Sequence, residues 1–520
     1  MIRTTDAVRR TDRKDKTRMK KAILATDKYF RLAEVNPRIY GSFAEHMGRC
    51  IYGGIYEPGN PLSDKDGYRQ DVAKTIKDMG VSLVRYPGGN FVSNFRWEDS
   101  VGDPATRPVR LEAAWQNLED NSFGLNEFMK WARMVGTEPM MAVNLGSRGI
   151  EEAASLLEYC NFPKGTYFSD LRRSHGVEDP HNIKLWCLGN EMDGPWQIGY
   201  KTAAEYGMMA ARAGMLMKRI DPSIELAACG SAGKSLPSFG EWDATVAELS
   251  YDFIDYLSAH IYFDNKPDKT PEATKDFLAG AMELEDTIRS VTAACDYARA
   301  KRKKKKTINI SLDEWNATYR PHGKVPPSMW IKAPHQIEDI FAFEDALLIG
   351  SILITMQNHA DRVKAACLAQ IVNVIAPILT SETQCVRQTI FYPFADASRY
   401  GRGTTLSSVI ECPTYESRKH GTVPILSGSV IHNEEKGELA LFIVNRDGED
   451  VTELKSDLRQ FAGKKIIHQT VYSSADLRAA NDLEHPSAIV PEKGDYAAFD
   501  RGVLTAHIAP YSWNVIVLGD

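Results

Sequence analysis

No apolar run in this sequence approaches the roughly 20 residues needed to cross a bilayer, which excludes a membrane-spanning helix. An excess of positive charge is also missing. The formal net charge is -6, which favours solubility and argues against a strong attraction to nucleic acid. The eight cysteines are scattered and none forms a CxxC pair, so neither a zinc site nor a disulfide framework is visible. Cys187, Cys229 and Cys367 fall inside apolar, strand-like runs, where cysteine behaves as a small hydrophobe. A reduced, cytoplasmic protein is the expectation. There is no GxGxxG fingerprint and no GxxxxGK[ST] loop, although YGGIYEPGN and YPGGN are glycine-rich. There is no GxSxG elbow. His46 and His359 lack HExxH-like spacing, so no metal ligands are assigned. The first thirty residues are basic but contain no apolar stretch long enough for a signal-peptide core. Residues 1–19 read as a disordered basic extension, with Met19 as the natural start.

What is present is a long alternation. A chain of 520 residues is too long for one ordinary core, so two domains are expected. From about residue 36 to 403, short apolar runs alternate with segments of helical period, the pattern of repeated βα units around a parallel sheet. Eight runs read as strands: RIYGSFAEH, VSLVRYPGGN, EPMMAVNLG, IKLWCLGNE, IELAACGS, YLSAHIY, KTINISLDEW and AACLAQIVNV. Residues 124–135, 203–219 and 283–301 read as helices between them. Eight units make a (β/α)8 TIM barrel the economical α/β architecture. From residue 404 to 520 the runs are short and β-rich, bounded by Gly, Asp and Asn, as in ELALFIVNR, KIIHQTVYS and NVIVLG. They predict a C-terminal antiparallel β-sandwich. The basic run KRKKKK at 301–306 ends a predicted helix; with no aromatics interleaved, it reads as a solvated face.

In such barrels the chemistry lies at the C-terminal ends of the strands. Those positions hold Glu45, Asn90, Asn144, Asn190 with Glu191, His260 with Tyr262, and Glu314, while Gln370 lies in the eighth run. One carboxylate after a strand commonly caps the next helix; three carboxylates and four amides on one rim go beyond capping. The set suits glycoside cleavage, in which an acetal oxygen needs a proton donor and a developing oxocarbenium ion needs an anion. Amides, Tyr and His offer directional partners to hydroxyl groups. Trp97, Trp115 and Trp196 fall in loops after strands and are expected to touch sugar, whereas Trp131 and Trp186 are expected in the core.

The stretches GSFAEHMGRCIYGGIYEPGNP, VRYPGGNFVSNFRWED, WCLGNEMDGPWQIGYKTAAEYG, DEWN and HADRVKAACLAQIVNVIAPI resemble family 51 of the glycoside hydrolases, the α-L-arabinofuranosidases. The resemblance runs from about Phe30 to Gly403 and continues more faintly beyond. It implies a catalytic barrel with a jelly-roll-like sandwich, to which residues 20–35 add strands. It implies Glu191 as acid/base and Glu314 as nucleophile of a retaining double displacement. Glu45, Asn90, Asn190, Tyr262 and Gln370 match positions that hold the arabinose, and His260 matches one beside the nucleophile. Such enzymes use no metal or cofactor, act on arabinose-containing oligosaccharides, are usually intracellular and are commonly homohexamers. This sequence departs at Thr318, where the family often has a tryptophan on the leaving-group side. The carboxylate pair alone leaves open a barrel glycosidase for another sugar, such as a β-xyloside or β-glucan, and a sugar-binding barrel without catalysis.

Overall fold

The computed structural model describes residues 19–265, 270–319 and 330–520. Eight parallel strands close into a barrel in chain order: Gly41–Phe43, Leu83–Tyr86, Glu138–Ala142, Leu185–Leu188, Glu225–Ala228, Tyr256–Asp264, Asn309–Thr318 and Val363–Leu368. They coincide with the eight runs read from the sequence. Side chains alternate across each strand, and the apolar residues divide accordingly. Leu83, Met140, Leu185, Cys187, Ala227 and Cys367 fill the barrel interior. Val84, Met141, Trp186, Leu226, Leu257 and Leu312 face the helices outside. The expected helices form as Leu125–Val135, Ala203–Ile220 and Ala281–Lys301. Thr202 and Glu205 open the second of these with a capping box. Trp131 and Trp186 are fully buried. The basic run pairs with carboxylates of the preceding unit: Lys301 with Glu248 at 2.7 Å, and Arg302 and Lys304 with Asp252 at 2.8 and 3.1 Å.

The remaining large element is a ten-stranded sheet. Two of its strands, Glu438–Asn445 and Ser512–Gly519, are largely apolar and buried on both faces. Leu439, Leu441, Ile443, Ile516 and Leu518 point into the sheet's own core with Leu24, Leu406 and Leu504. Ala440, Phe442, Val444, Trp513, Val515 and Val517 point to the barrel. Helix Phe343–Asn358 lies against these strands and is apolar nearly all round, as a helix buried on every side must be. Strand Lys20–Glu34 lies in the middle of the sheet, antiparallel to Thr404–Glu411 and parallel to Thr452–Asp457. Without it, two neighbours lose their ladder and the Leu24 side chain leaves the core, a loss of about 2–5 kcal/mol for one leucine-sized side chain. A chain starting at Val35 is therefore expected to melt far lower, while one starting at Met19 melts unchanged. Thermal denaturation of both truncations checks this.

Candidate active site

The second barrel strand ends in Tyr86-Pro87-Gly88-Gly89-Asn90, and its two glycines let the chain lie directly on the site. Gly88 has φ +132°, and a Cβ there would meet Glu45 Cγ at 2.4 Å; a Cβ on Gly89 would stand 3.0 Å from Glu314 Oε1. Neither position accepts a side chain without moving a carboxylate.

Glu45, Asn90, Asn190, Glu191, His260, Tyr262, Glu314 and Gln370 come together at the C-terminal mouth of the barrel. Tyr262 donates to Glu314 Oε2 at 2.9 Å. His260 Nδ1 lies 3.0 Å from Glu191 Oε1 and 3.6 Å from Glu314 Oε2. One oxygen of each glutamate and a ring nitrogen of His260 are all within 4.8 Å of one another. Asn190 donates to Asn90 Oδ1 at 3.2 Å. Glu45 accepts from the Phe91 amide, from the Trp115 indole and from Gln370, each at 3.0 Å. The Gln370 Oε1 atom is buried and accepts no hydrogen bond from another described residue. Gln370 lies just beyond the eighth strand, which ends at Leu368, rather than within it.

Glu191 itself takes φ +45°, uncommon for a residue with a Cβ. The turn aims its carboxylate at His260 on one side and at Trp196 on the other, whose indole donates to Oε2 at 2.6 Å. Trp196 is half exposed, so its face stands open beside Glu191.

Other expectations are corrected. Trp97 is 1% exposed and packs against Tyr159 and Phe168, so it belongs to the core and meets no sugar. Asn144 folds back on its own loop, accepting from the Gly146 and Ser147 amides and donating to the Phe95 carbonyl, so it shapes that loop. Thr318, at the end of the seventh strand opposite Asp264, is 4% exposed. An indole there would overpack its surroundings, at about 1–3 kcal/mol, rather than add an open stacking face.

Two residues that the sequence reading did not assign lie under the pair. Arg85, inside the VRYPGGN stretch, is fully buried and donates to Glu314 Oε1 at 2.7 Å and to Asn190 Oδ1 at 2.9 Å. It sits at an inward position, two residues after interior Leu83, and a cation at such a position is the signal that marks it. Asp313 lies 3.7 Å from Arg85 and 3.3 Å from His260 Nε2. Consecutive strand residues ordinarily point to opposite faces, but the register shifts between Ser311 and Glu314. That bulge lets both carboxylates face inward.

The electrostatics follow from this crowding. Burial lowers the proton affinity of His260, but Glu314, Asp313 and Glu191 outweigh it and push its pKa up to about 10. Asp313 is held below the usual carboxylate range: burial raises it, and Arg85 and His260 more than offset that. Glu314 is raised, chiefly by burial, with His260 and Arg85 pulling it down and Glu191 pushing it up. Glu45 is pushed up to about 8 by burial, against the hydrogen bonds from Phe91 and Trp115. Glu191, His260 and Glu314 have the composition of a cation site, and the Arg85 guanidinium lies against Glu314 at 2.7 Å.

Two acidic side chains facing each other across the mouth of a (β/α)8 barrel, ringed by amides, Tyr and Trp, define a glycoside hydrolase. Comparison with known proteins narrows the class. The α-L-arabinofuranosidase 1 domain matches residues 75–280, and the α-L-arabinofuranosidase C-terminal domain matches residues 313–512. The chain is 51% identical over 504 residues to an intracellular exo-α-(1→5)-L-arabinofuranosidase of Bacillus subtilis, covering 96% of this chain and 99% of that one. It is 50% identical over 507 residues to a protein of the same description from Acetivibrio thermocellus, covering 96% and 100%. A solved family 51 α-L-arabinofuranosidase from Bifidobacterium longum superposes with a TM-score of 0.92 at 39% identity, covering 96% of this chain and all of that one. The chain belongs to glycoside hydrolase family 51, the α-L-arabinofuranosidases. Among the described residues no helix is long and apolar enough to cross a membrane.

Proposed function

We propose that this α-L-arabinofuranosidase is exo-acting and retaining, releasing terminal α-L-arabinofuranosyl groups from arabinan-, arabinoxylan- or arabinogalactan-derived oligosaccharides. The (1→5) linkage and an intracellular location are carried over from the descriptions of its relatives. The observation that carries the mechanism is the closeness of Glu191 and Glu314, with oxygens within 4.8 Å. Retaining enzymes hold their carboxyl groups about 5–5.5 Å apart, whereas inverting ones need about 6.5–9.5 Å to seat a water between.

Roles follow from the partners. Glu314 accepts from Arg85 and Tyr262 at its two oxygens, which favours the carboxylate, so it attacks the anomeric carbon. Glu191 Oε1 lies 3.0 Å from His260 Nδ1, within reach of proton exchange, and protonated Glu191 delivers its proton to the departing oxygen. Glu191 then takes a proton from the water that frees the sugar. Glu45, Asn90, Asn190, Gln370 and Trp115 hold the arabinose, and the open face of Trp196 receives the leaving group. Ile23, Tyr29, Phe30 and Leu32 are exposed on one strand and offer an apolar surface for self-association; the homohexamer is what the family resemblance implies. The protein's place is in the breakdown of arabinan and other hemicelluloses.

Early reaction with an aryl α-L-arabinofuranoside is expected to release α-arabinofuranose, observed by NMR before mutarotation. Appearance of the β anomer first overturns the double displacement.

A further inference from the structure

The active-site groups account for the barrel but leave the sandwich domain without a part in catalysis. Its segment 477–480 runs back to the barrel. There the Ala479 carbonyl accepts from the Phe343 amide at 2.8 Å and the Leu477 carbonyl from the Glu344 amide at 3.1 Å, and Ala480 bridges to Ala342. Arg478, between them, donates to Glu344 Oε1 at 2.7 Å. Glu344 and Asp345 are adjacent carboxylates at the start of helix Phe343–Asn358, and both are fully buried.

These two carboxylates hold the ends of the two strands that carry the nucleophile and its neighbours. Asn265 directly follows the strand with His260 and Tyr262; its amide donates to Glu344 Oε1 at 2.9 Å and to Asp345 Oδ1 at 2.7 Å. Tyr319 directly follows the strand with Glu314; its hydroxyl donates to Asp345 Oδ2 at 2.5 Å. The two strand ends are joined as well, the Asn265 amide donating to the Thr318 carbonyl at 2.7 Å. Below this clamp, His260 stands beside Glu314 and Tyr262 beside Asn316. That register sets the 2.9 Å contact between Tyr262 and Glu314.

We propose that Arg478 of the sandwich domain is a positioning residue for the nucleophile: it supplies the positive charge that lets the buried Glu344–Asp345 pair clamp the ends of the sixth and seventh barrel strands. The second domain is thereby part of the active-site scaffold. The proposal rests on the assignment of Glu314 as nucleophile. A buried pair of like charges is tolerated only with compensation. Among the described residues, Tyr319, Tyr511 and Arg478 face the pair. Burial and the Glu344 charge push Asp345 up to about 7, against hydrogen bonds from Tyr319 and Asn265. In the absence of the guanidinium Asp345 holds its proton to higher pH. As the pH rises past neutrality and Asp345 ionises, the variant holds two adjacent buried carboxylates with less compensating charge, and the strand ends loosen.

The test is the pH dependence of kcat and KM on an aryl arabinofuranoside for the full-length enzyme and for Arg478→Met, Arg478→Lys and Arg478→Met/Glu344→Gln. Misplacing reacting groups by about 1 Å costs up to about a hundred-fold. The ratio of kcat for Arg478→Met to that of the unmodified enzyme is expected to be near one at pH 5.5 and to fall about ten-fold by pH 8, with KM held. Lysine, and removal of the Glu344 charge, should each bring the ratio back towards one. If Arg478→Met fails to fold, the double variant at pH 8 carries the test. A ratio independent of pH, or failure of both restoring variants, overturns the proposal. A first product of inverted anomer from the unmodified enzyme would sink the assignment of Glu314 instead, while leaving the ratio readable.

Discussion

Glu314→Ala is expected to end turnover on every arabinofuranoside, whatever its leaving group. The side chain is 7% exposed and is held by Arg85 and Tyr262, one at each carboxylate oxygen. Its removal takes away both the bond-forming oxygen and the anion opposite the oxocarbenium ion. The loss should therefore exceed the roughly 10²–10⁴-fold that acid–base catalysis contributes. Glu191→Ala should behave differently. A dinitrophenyl leaving group needs no proton, so the first displacement survives, whereas an alkyl arabinoside loses about 10²–10⁴-fold. The second displacement then lacks its base and the arabinosyl-enzyme accumulates. Azide, which needs no deprotonation, should accelerate its breakdown and yield the azide of retained configuration. Equal losses for both variants on both leaving groups, with no response to azide, would reverse or dismiss these roles.

The barrel was legible because its strands and helices have different apolar periods, and eight alternations admit few other closed arrangements. The rim was legible for the same reason: the polar residue at the end of each apolar run lies at the mouth. What stayed hidden depends on departures from regular geometry or on distant parts of the chain. Asp313 is masked by strand alternation, which lets only one of two neighbours face inward until a bulge intervenes. Trp97 follows a strand in a polar stretch, yet a 3-10 turn swings it into the core beside Tyr159. Asn144 ends a strand as the other rim amides do, and its loop amides consume it. The Glu344–Asp345 pair reads locally as an acidic helix start; its burial is set by Asn265, Tyr319 and Arg478, which no local pattern connects. The order of strands in the ten-stranded sheet is likewise fixed by pairings across more than 400 residues, as between Lys20 and Thr452.

Removing the Arg85 guanidinium should move the pH dependence as well as the rate. Arg85 is enclosed between Glu314 at 2.7 Å and Asp313 at 3.7 Å, and its plane lies 5.0 Å over the Phe43 ring. Arg85→Met leaves two buried carboxylates facing His260 as their nearest described positive charge. Breaking a buried ion pair by deleting one partner costs about 3–5 kcal/mol, so the melting temperature should fall clearly. The surviving folded enzyme should titrate differently. Burial raises the Glu314 carboxyl and Arg85 opposes that rise; without Arg85 the carboxyl holds its proton to higher pH. A protonated Glu314 cannot attack, so the acid limb of kcat/KM should move upward and activity lost at pH 5–6 should return in part towards pH 8. Each unit of that movement is a ten-fold loss at pH values below the limb. Arg85→Lys keeps the charge but cannot reach Glu314 and Asn190 together as the planar fork does. It should leave the acid limb nearly in place and lower kcat about ten-fold through misplacement of the two groups. The measurement is kcat/KM from pH 4.5 to 9 for both variants, with thermal melts alongside. An acid limb unmoved in Arg85→Met, with one uniform loss at every pH, would make Arg85 a structural strut and remove it from the control of Glu314.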